Sequence, residues 1–381
     1  MASAPLAAFL RTRKGLIAHG ASHWVVGNEA GDLDSLASAI GYAFFAQYAE
    51  PSGPQWIPVV QTPRRDLALR PENLLMLHKC RVDPDELTCV DDVPKLDEHA
   101  IVTLVDHNTA TNAFADARVE TIVDHHADDG RHTDAPQRVI VPPDQAGSCA
   151  SVLTASFAPS LPTSPALPAP LVDLLLGAVL LDTHNFSASA AKAHKVDEAA
   201  RAFLAPRSSY PTPEAQQALY DELVRAKSDI SALSLEQKLR RDYKQFACAA
   251  KNAGTWRVGT SSTVEPLTTL VRDGRAALLH ELGAFCDARQ LDVEVVLAGY
   301  ADDAQQPHRE VLVYARDAES RFAPTLAALG AHGVDLAPLA LEGLDGRVDG
   351  VFCAAYTQRD ARVTRKQFAP ALQAVCAQLD K

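Results

Sequence analysis

The sequence predicts an α/β protein: a doubly wound, mostly parallel sheet in an N-terminal domain, followed by a smaller α+β C-terminal domain. Three observations carry this expectation. Over residues 1–205, short apolar runs alternate with segments whose apolar residues recur at helical spacing, the pattern of a parallel sheet covered by helices. Several of the apolar runs end in Asp, or Asp followed by His, where open α/β sheets bind ligands. A Pro- and Ser-rich stretch at 205–213 reads as a linker, so the expected domains are 1–205 and 214–381, joined by 206–213.

Taken in order, Trp24-Val25-Val26 reads as a buried strand, 27–35 as a tight loop, and Leu36, Ala39, Ile40, Ala43 and Phe44 as one face of a helix. A second strand is expected at 55–61 and a helix at 69–77, opened by Pro71 and Glu72. Strands at 101–105 and 116–123 lead into Asp106-His107 and Asp124-His125-His126. A short strand follows at 136–142, then a turn at 144–149 that opens a helix through Phe157. The Pro-rich 158–170 reads as a surface insertion without chemistry. The apolar run 171–181 reads as one more buried segment delivering an Asp, here Asp182, and 195–204 as a closing helix. Beyond the linker, helices are expected at 213–226, 234–241, 274–289 and 366–379. Strands are expected near 244–249, 255–261, 293–299, 310–315 and 350–355.

A chain of 381 residues, 47% apolar, is long enough for two cores. Its net charge of -12 argues against bulk nucleic acid as a substrate, while a polyanion remains acceptable where metals and a local basic cluster line a cleft. No apolar run approaches membrane-spanning length, so no membrane partner is expected. The seven cysteines form no Cys-x-x-Cys pair and read as reduced core thiols of a cytoplasmic protein. The first 28 residues lack acids and include Arg11, Arg13 and Lys14, so a mitochondrial presequence is the competing reading. Leu6, Phe9 and Leu10 favour instead a short helix docked before the first strand.

Four apolar segments therefore end in Asp, or in Asp plus His: at Asp32 and Asp34 after the first strand, at Asp106, at Asp124-His125-His126 and at Asp182. A buried strand end needs no charge for packing, and burying one is costly unless it is paired or bound to metal. Four such endings point to a shared metal site built from strand ends, with oxygen ligands and an imidazole suited to hard divalent cations. Glycine-rich loops of the type that bind nucleoside triphosphates are missing from the sequence.

Asp-His-His after a strand, the earlier Asp-x-Asp loop and Val-Asp-His-Asn together resemble the DHH phosphoesterase superfamily. The loop Gly-Asn-Glu-x-x-Asp-x-Asp-Ser is similar to the fungal cytosolic exopolyphosphatase and prune branch. Thr364-Arg365-Lys366-Gln367 resembles the terminal motif of the DHHA2 domain, which family II inorganic pyrophosphatases share. The resemblance implies an active site in the inter-domain cleft and two divalent cations, magnesium or manganese with cobalt as an alternative. Asp106 would bridge them, Asp32 would complete one site, and Asp34, His125 and Asp182 the other. A water shared by the metals would lose its proton and attack a terminal phosphorus. Asn28 stands where family II pyrophosphatases carry a metal-ligating His. It reads as a first-site ligand or a hydrogen-bonding neighbour of one, with an Asx turn as the plainer reading. That departure weakens the pyrophosphatase reading and favours magnesium at the first site.

His126 is assigned to a substrate phosphate or a supporting hydrogen bond, since adjacent side chains at a strand end point opposite ways. His107 is assigned a supporting or structural role, and Asp124 the orientation of a histidine or of the loop. Lys244, Arg365 and Lys366 are the expected phosphate-binding cations, with Arg240 and Arg241 as weaker candidates. Gln367 replaces a second Lys of the family motif. Ser148-Cys149 reads as an ordinary helix cap, with phosphate binding as the alternative. The implied activity is exopolyphosphatase, acting on inorganic polyphosphate as a monomer. Its rivals are inorganic pyrophosphatase, a prune-like cyclic-nucleotide phosphodiesterase, and a non-catalytic regulatory binder.

Overall fold

The computed structural model describes residues 5–378 except 97–98, 162–166, 252–253, 303, 305, 317–325, 342 and 349. Residues 162–166 of the Pro-rich loop and the last residue of the expected terminal helix lie outside this set. The chain divides into two compact units, Met1–Asp229 and Ile230–Lys381.

The first unit holds α1 (Pro5–Gly15), β1 (His23–Val26), α2 (Leu33–Ala49), β2 (Ile57–Val60), α3 (Pro71–Lys79) and β3 (Thr88–Cys89). It continues with β4 (Ile101–Val105), β5 (Arg118–Asp124), β6 (Gln137–Ile140), α4 (Cys149–Phe157), α5 (Ala169–Asp182), α6 (Lys195–Leu204) and α7 (Pro213–Ser228). The six strands are parallel in the order β3-β2-β1-β4-β5-β6, the order of a doubly wound sheet. Alternation along β1 sends Val25 to one face and Trp24 and Val26 to the other. On the Val25 face lie α2, α3, α4, α5 and α7; the Trp24 face is covered by shorter segments carrying Leu16, Ile17 and Phe114. Helix α2 packs against α4 and α5 so closely that a Cβ on Gly41 would lie 2.9 Å from Leu175 Cδ2 and 3.0 Å from Leu153 Cδ2. The docked helix α1 buries Leu6 and Leu10, and Phe9 meets Phe44.

Two expectations need correction. The run that ends at Asp182 is a 14-residue helix, α5, and not a strand-like segment. It is apolar on every side because it is buried within the helical layer, so no 3.6-residue period marks it in the sequence. The second concerns α7. Expected to open the second domain, it buries Leu219 and Leu223 in the first unit's core beside α3 and α5, and the boundary falls after Asp229.

The second unit contains α8 (Leu235–Arg241), β7 (Tyr243–Ala249), β8 (Thr255–Thr263), α9 (Leu267–Leu270), α10 (Arg275–Arg289), β9 (Val293–Ala301) and β10 (Pro307–Ala315). Then come β11 (Leu336–Pro338), β12 (Asp345–Val348), β13 (Val351–Gln358) and α11 (Arg365–Cys376). Its mixed sheet runs β11-β13-β10-β9-β8-β7, with β12 paired to β13. Among the described strands of this unit only β8 and β9 pair in parallel, and α10 lies in the crossover that such a pair requires. Val295, Val313 and Phe368 of α11 belong to the core on one face; Leu282 and Phe285 of α10 belong to the core on the other. All seven cysteines are buried and unpaired. No helix among the described residues is long and apolar enough to cross a membrane.

Glu294 on β9 is fully buried, and Ser261 Oγ donates to its Oε1 at 2.6 Å. Its other oxygen has no partner among the described residues. Burial pushes this carboxyl up to about 8, against 4.5 for a free Glu. The folded chain therefore keeps a proton that the unfolded chain loses above about 4.5, and folding loses stability as pH rises through that window. In Glu294→Gln this pH dependence is absent. Urea titrations should show the variant gaining on the parent chain by up to about 1.4 kcal/mol per pH unit between pH 4.5 and 8. A difference that stays constant across that range would contradict a buried neutral acid.

Candidate metal centre and cationic pocket

The strand order reverses between β1 and β4, and the loops leaving β1, β4 and β5 meet there. Gly27–Asp32 follows β1 and is tied down from several sides. Gln61 Nε2 donates to Gly27 O at 2.8 Å, Asn73 Nδ2 to Gly31 O at 2.8 Å, and Arg70 Nε to Ala30 O at 3.0 Å. Gly31 has φ +55 and lies against Thr62, a position where a side chain would be both strained and crowded. The loop ends on Asp32, which caps α2 by accepting from Ser35 N at 3.1 Å. Asp34 then lies in the first turn of the helix. The i, i+2 pair thus faces the site as a cap and a helical residue, not as neighbours in an extended loop.

Asp34 is buried, and four donors hold it: Ser148 Oγ at 2.9 Å, Cys149 N at 2.6 Å, Ala150 N at 2.8 Å and Ser38 Oγ at 3.3 Å. The start of α4 therefore serves a carboxylate of the protein itself, and the Ser148 hydroxyl makes no cap bond to its own helix. Asp106 continues β4 with φ +64, a left-handed conformation uncommon for Asp and found at functional sites. Asn28 Nδ2 donates to Asp106 Oδ2 at 2.7 Å and to its carbonyl at 3.1 Å, while Asn28 Oδ1 accepts from Gly31 N at 3.2 Å. Asn28 thus makes the Asx-type turn and also orients Asp106.

His125 Nδ1 faces Ala146 O at 3.4 Å, which leaves Nε2 at 3.2 Å from Asp106 Oδ1 and 3.7 Å from Asp34 Oδ2. Asp106 Oδ1 is buried and has no hydrogen-bond partner among the described residues. Carboxylates gathered this closely repel one another unless a cation or a proton lies between them. Burial, reinforced by Asp34 and Asp32, pushes the Asp106 carboxyl well above the ordinary range; the same causes act on Asp182, which lies close enough to share a proton with Asp34. Ligand atoms of Asp106, His125 and His126 lie within 4.8 Å of one another. The donor set fits hard divalent cations, and binding one would displace the protons that these carboxyls otherwise hold.

Asp32, Asp34, Asp106, His125, His126 and Asp182 line one pocket of about 360 Å³, so the structure brings together all the first-unit residues expected to bind metal. His126 lies beside the carboxylates, with its Nδ1 3.8 Å from Asp106 Oδ1. Its Nδ1 binds Asp124 Oδ1 at 2.8 Å, a bond that raises the imidazole pKa. Burial would push the Asp124 carboxyl up, but bonds from His126 and from Asn108 Nδ2, at 2.6 Å, hold it below its usual value. Asp124 also accepts from the backbone N–H groups of His125 and His126, so it orients the histidine and holds the loop. His107 turns its Nδ1 to Val105 O at 2.9 Å and lines a neighbouring pocket with Asn28 and Asn108. His184, Lys192 and Lys227 complete the first pocket. The two lysines were missed, because a lone Lys in a loop and one in the last turn of a helix carry no sequence signal.

In the second unit, Lys244, Arg365 and Lys366 line a pocket of about 800 Å³, joined by Arg309, Thr260, Ser262 and Gln373. Arg240 pairs with Glu236 at 3.5 Å and lies outside that lining, as does Arg241. Gln367 accepts from Thr364 N at 2.9 Å and Thr364 Oγ1 at 2.7 Å. Where the family motif has a second Lys, this residue closes the start of α11.

A parallel sheet with carboxylates and imidazoles gathered at its switch point is the architecture of a metal-dependent phosphoesterase. Family models described as "DHH family, N-terminal domain" and "DHHA2 domain" match residues 22–181 and 221–375. The chain belongs to the DHH phosphoesterase superfamily and carries both domains. The Bos taurus protein named Exopolyphosphatase PRUNE1 is 29% identical over 360 residues, covering 92% of this chain and 75% of that protein. A Schizosaccharomyces pombe protein named "Putative exopolyphosphatase" is 26% identical over 364 residues, covering 92% of this chain and 89% of its own. The solved structure of a Methanococcus jannaschii "putative family II inorganic pyrophosphatase" superposes with a TM-score of 0.54 at 20% identity, covering 93% of this chain and 99% of that one. That likeness is one of fold.

Because Ser148 and the start of α4 fix Asp34, Ser148→Ala should leave the fold intact and weaken divalent-cation affinity by about 10–100-fold. Calorimetric titration of the full chain with manganese reads this directly. Unchanged affinity would remove Ser148 from the support of the site.

Proposed function

We propose that this chain is a metal-dependent exopolyphosphatase that releases orthophosphate from the end of inorganic polyphosphate. The observation that carries this reading is the unpartnered Asp106 oxygen, facing His125 Nε2 among three further carboxylates. Names given to relatives over most of the chain support the same substrate class.

Asp32, Asp34, Asp106, His125 and Asp182 would hold two divalent cations, magnesium or manganese. When bound, these supply a water acidic enough to react at neutral pH and offset charge on the departing phosphate. Asn28 holds the Asp106 carboxylate in place. The bond to Asp124 favours the protonated form of His126, in which Nε2 can donate to a phosphate oxygen. Lys244 and Lys366 would neutralise phosphates of the polyanion, which reconciles a chain of net charge -12 with such a substrate.

Phosphate release should be compared across pyrophosphate, tripolyphosphate, long-chain polyphosphate and cyclic AMP, under magnesium and under manganese. The expected order places tripolyphosphate and longer chains first; preference for pyrophosphate or cyclic AMP would favour a rival activity. Asp106→Ala should lower kcat by about a hundred-fold or more at saturating magnesium. Full activity in that variant would contradict the metal assignment. Asn28→His should move preference toward pyrophosphate and manganese, and an unchanged profile would end the argument from this position.

A further inference from the structure

The pocket of the second unit contains a cation that the sequence pattern did not single out. Arg309 lies in β10 directly opposite Gly299 of β9. Both lie on the sheet face that carries Leu297 and Val311 and packs against α11. Arg309 Nε donates to Ala361 O at 2.7 Å, which ties the side chain to the turn preceding α11. The guanidinium then lies over Gly299, where a Cβ would sit 2.8 Å from Nη1 and 3.4 Å from the central carbon. A side chain there would push the guanidinium aside.

Arg365, the residue the terminal motif points to, also lines this pocket but is taken up by Asp242 within it. Its Nη1 donates to Asp242 O and its Nη2 to Asp242 Oδ1, both at 2.6 Å, and its side chain is only 17% exposed. No carboxylate pairs with Arg309 among the described ion pairs, and it shares the pocket with Lys244 and Lys366, both exposed. A planar guanidinium grips two phosphate oxygens at once, which an ammonium cannot do.

We propose that Arg309 is the bidentate phosphate-binding residue of this domain, that Gly299 is the cradle that admits its guanidinium, and that Arg365 is a positioning residue. This rests on the reading of the substrate as a polyphosphate. Arg365 holds the start of α11, and with it Lys366, against the strand that presents Lys244. Arg309 also takes the place of the cation lost at Gln367.

The test uses the full chain and two readouts: steady-state hydrolysis of tripolyphosphate with magnesium, and equilibrium binding of fluorescently labelled long-chain polyphosphate without divalent cations. Arg309→Gln should raise KM and weaken binding by about 10–100-fold with kcat little changed. Arg309→Lys should recover only a small part, because it restores the charge and not the fork. Gly299→Ala should reproduce the KM rise with Arg309 still present, and far-UV circular dichroism checks that each variant folds. Arg365→Lys should show a smaller loss than Arg309→Lys. If Arg309→Lys and Gly299→Ala match the parent chain in both readouts while that chain hydrolyses tripolyphosphate, the assignment is overturned and the hydrolase reading stands. If the parent chain releases no phosphate yet its binding depends on Arg309 and Gly299, the hydrolase reading fails and the assignment stands.

Discussion

Four carboxylates gathered beside an imidazole at one sheet switch point repel one another unless positive charge lies among them. Desolvation and mutual repulsion both act against their ionised forms, and the raised pKa directions of Asp106 and Asp182 express that conflict. The surroundings hold the groups in this arrangement and do not relieve it. The start of α4 pins Asp34, Asn28 pins Asp106, and Ala146 faces the far nitrogen of His125. Asp106 even adopts a left-handed backbone to reach its place. A fold selected for stability alone would have little use for this cluster; a fold that binds divalent cations needs it.

The second unit shows the same concentration of like charge with the opposite sign. Arg365 and Lys366 occupy the first turn of α11, where the helix dipole disfavours cations and the turn itself carries no acid. Such placement makes sense for a surface that meets an anion. Within it the roles divide by geometry. Gln367 closes the helix; of the four cations that line the pocket, Arg365 is bound to Asp242, while Lys244, Lys366 and Arg309 have no carboxylate partner among the described ion pairs.

Much of this was legible in the sequence because strand ends announce themselves. An apolar run followed by Asp106-His107, or by Asp124-His125-His126, places those groups at the carboxyl edge of a parallel sheet. Asp182 was legible as a candidate but not in its setting: a helix buried on every side has no polar face to betray its period. The supports were out of reach for another reason. Ser148, Cys149 and Ala150 lie more than a hundred residues from Asp34, and nothing local marks their pairing. Arg309 was hidden in the same way, since it reads as an ordinary cation near a strand start until the register sets Gly299 opposite it. The end of the first unit was misjudged because prolines mark a turn as readily as a boundary, and α7 returns to the core after them.

The central claim is that this cluster holds a pair of divalent cations through a shared Asp106. Electron paramagnetic resonance of the full chain loaded with manganese tests it most directly. The account predicts two bound ions per chain with an exchange-coupled spectrum, and loss of that coupling in Asp106→Asn. A single uncoupled manganese, or a coupled pair that survives the substitution, would contradict it.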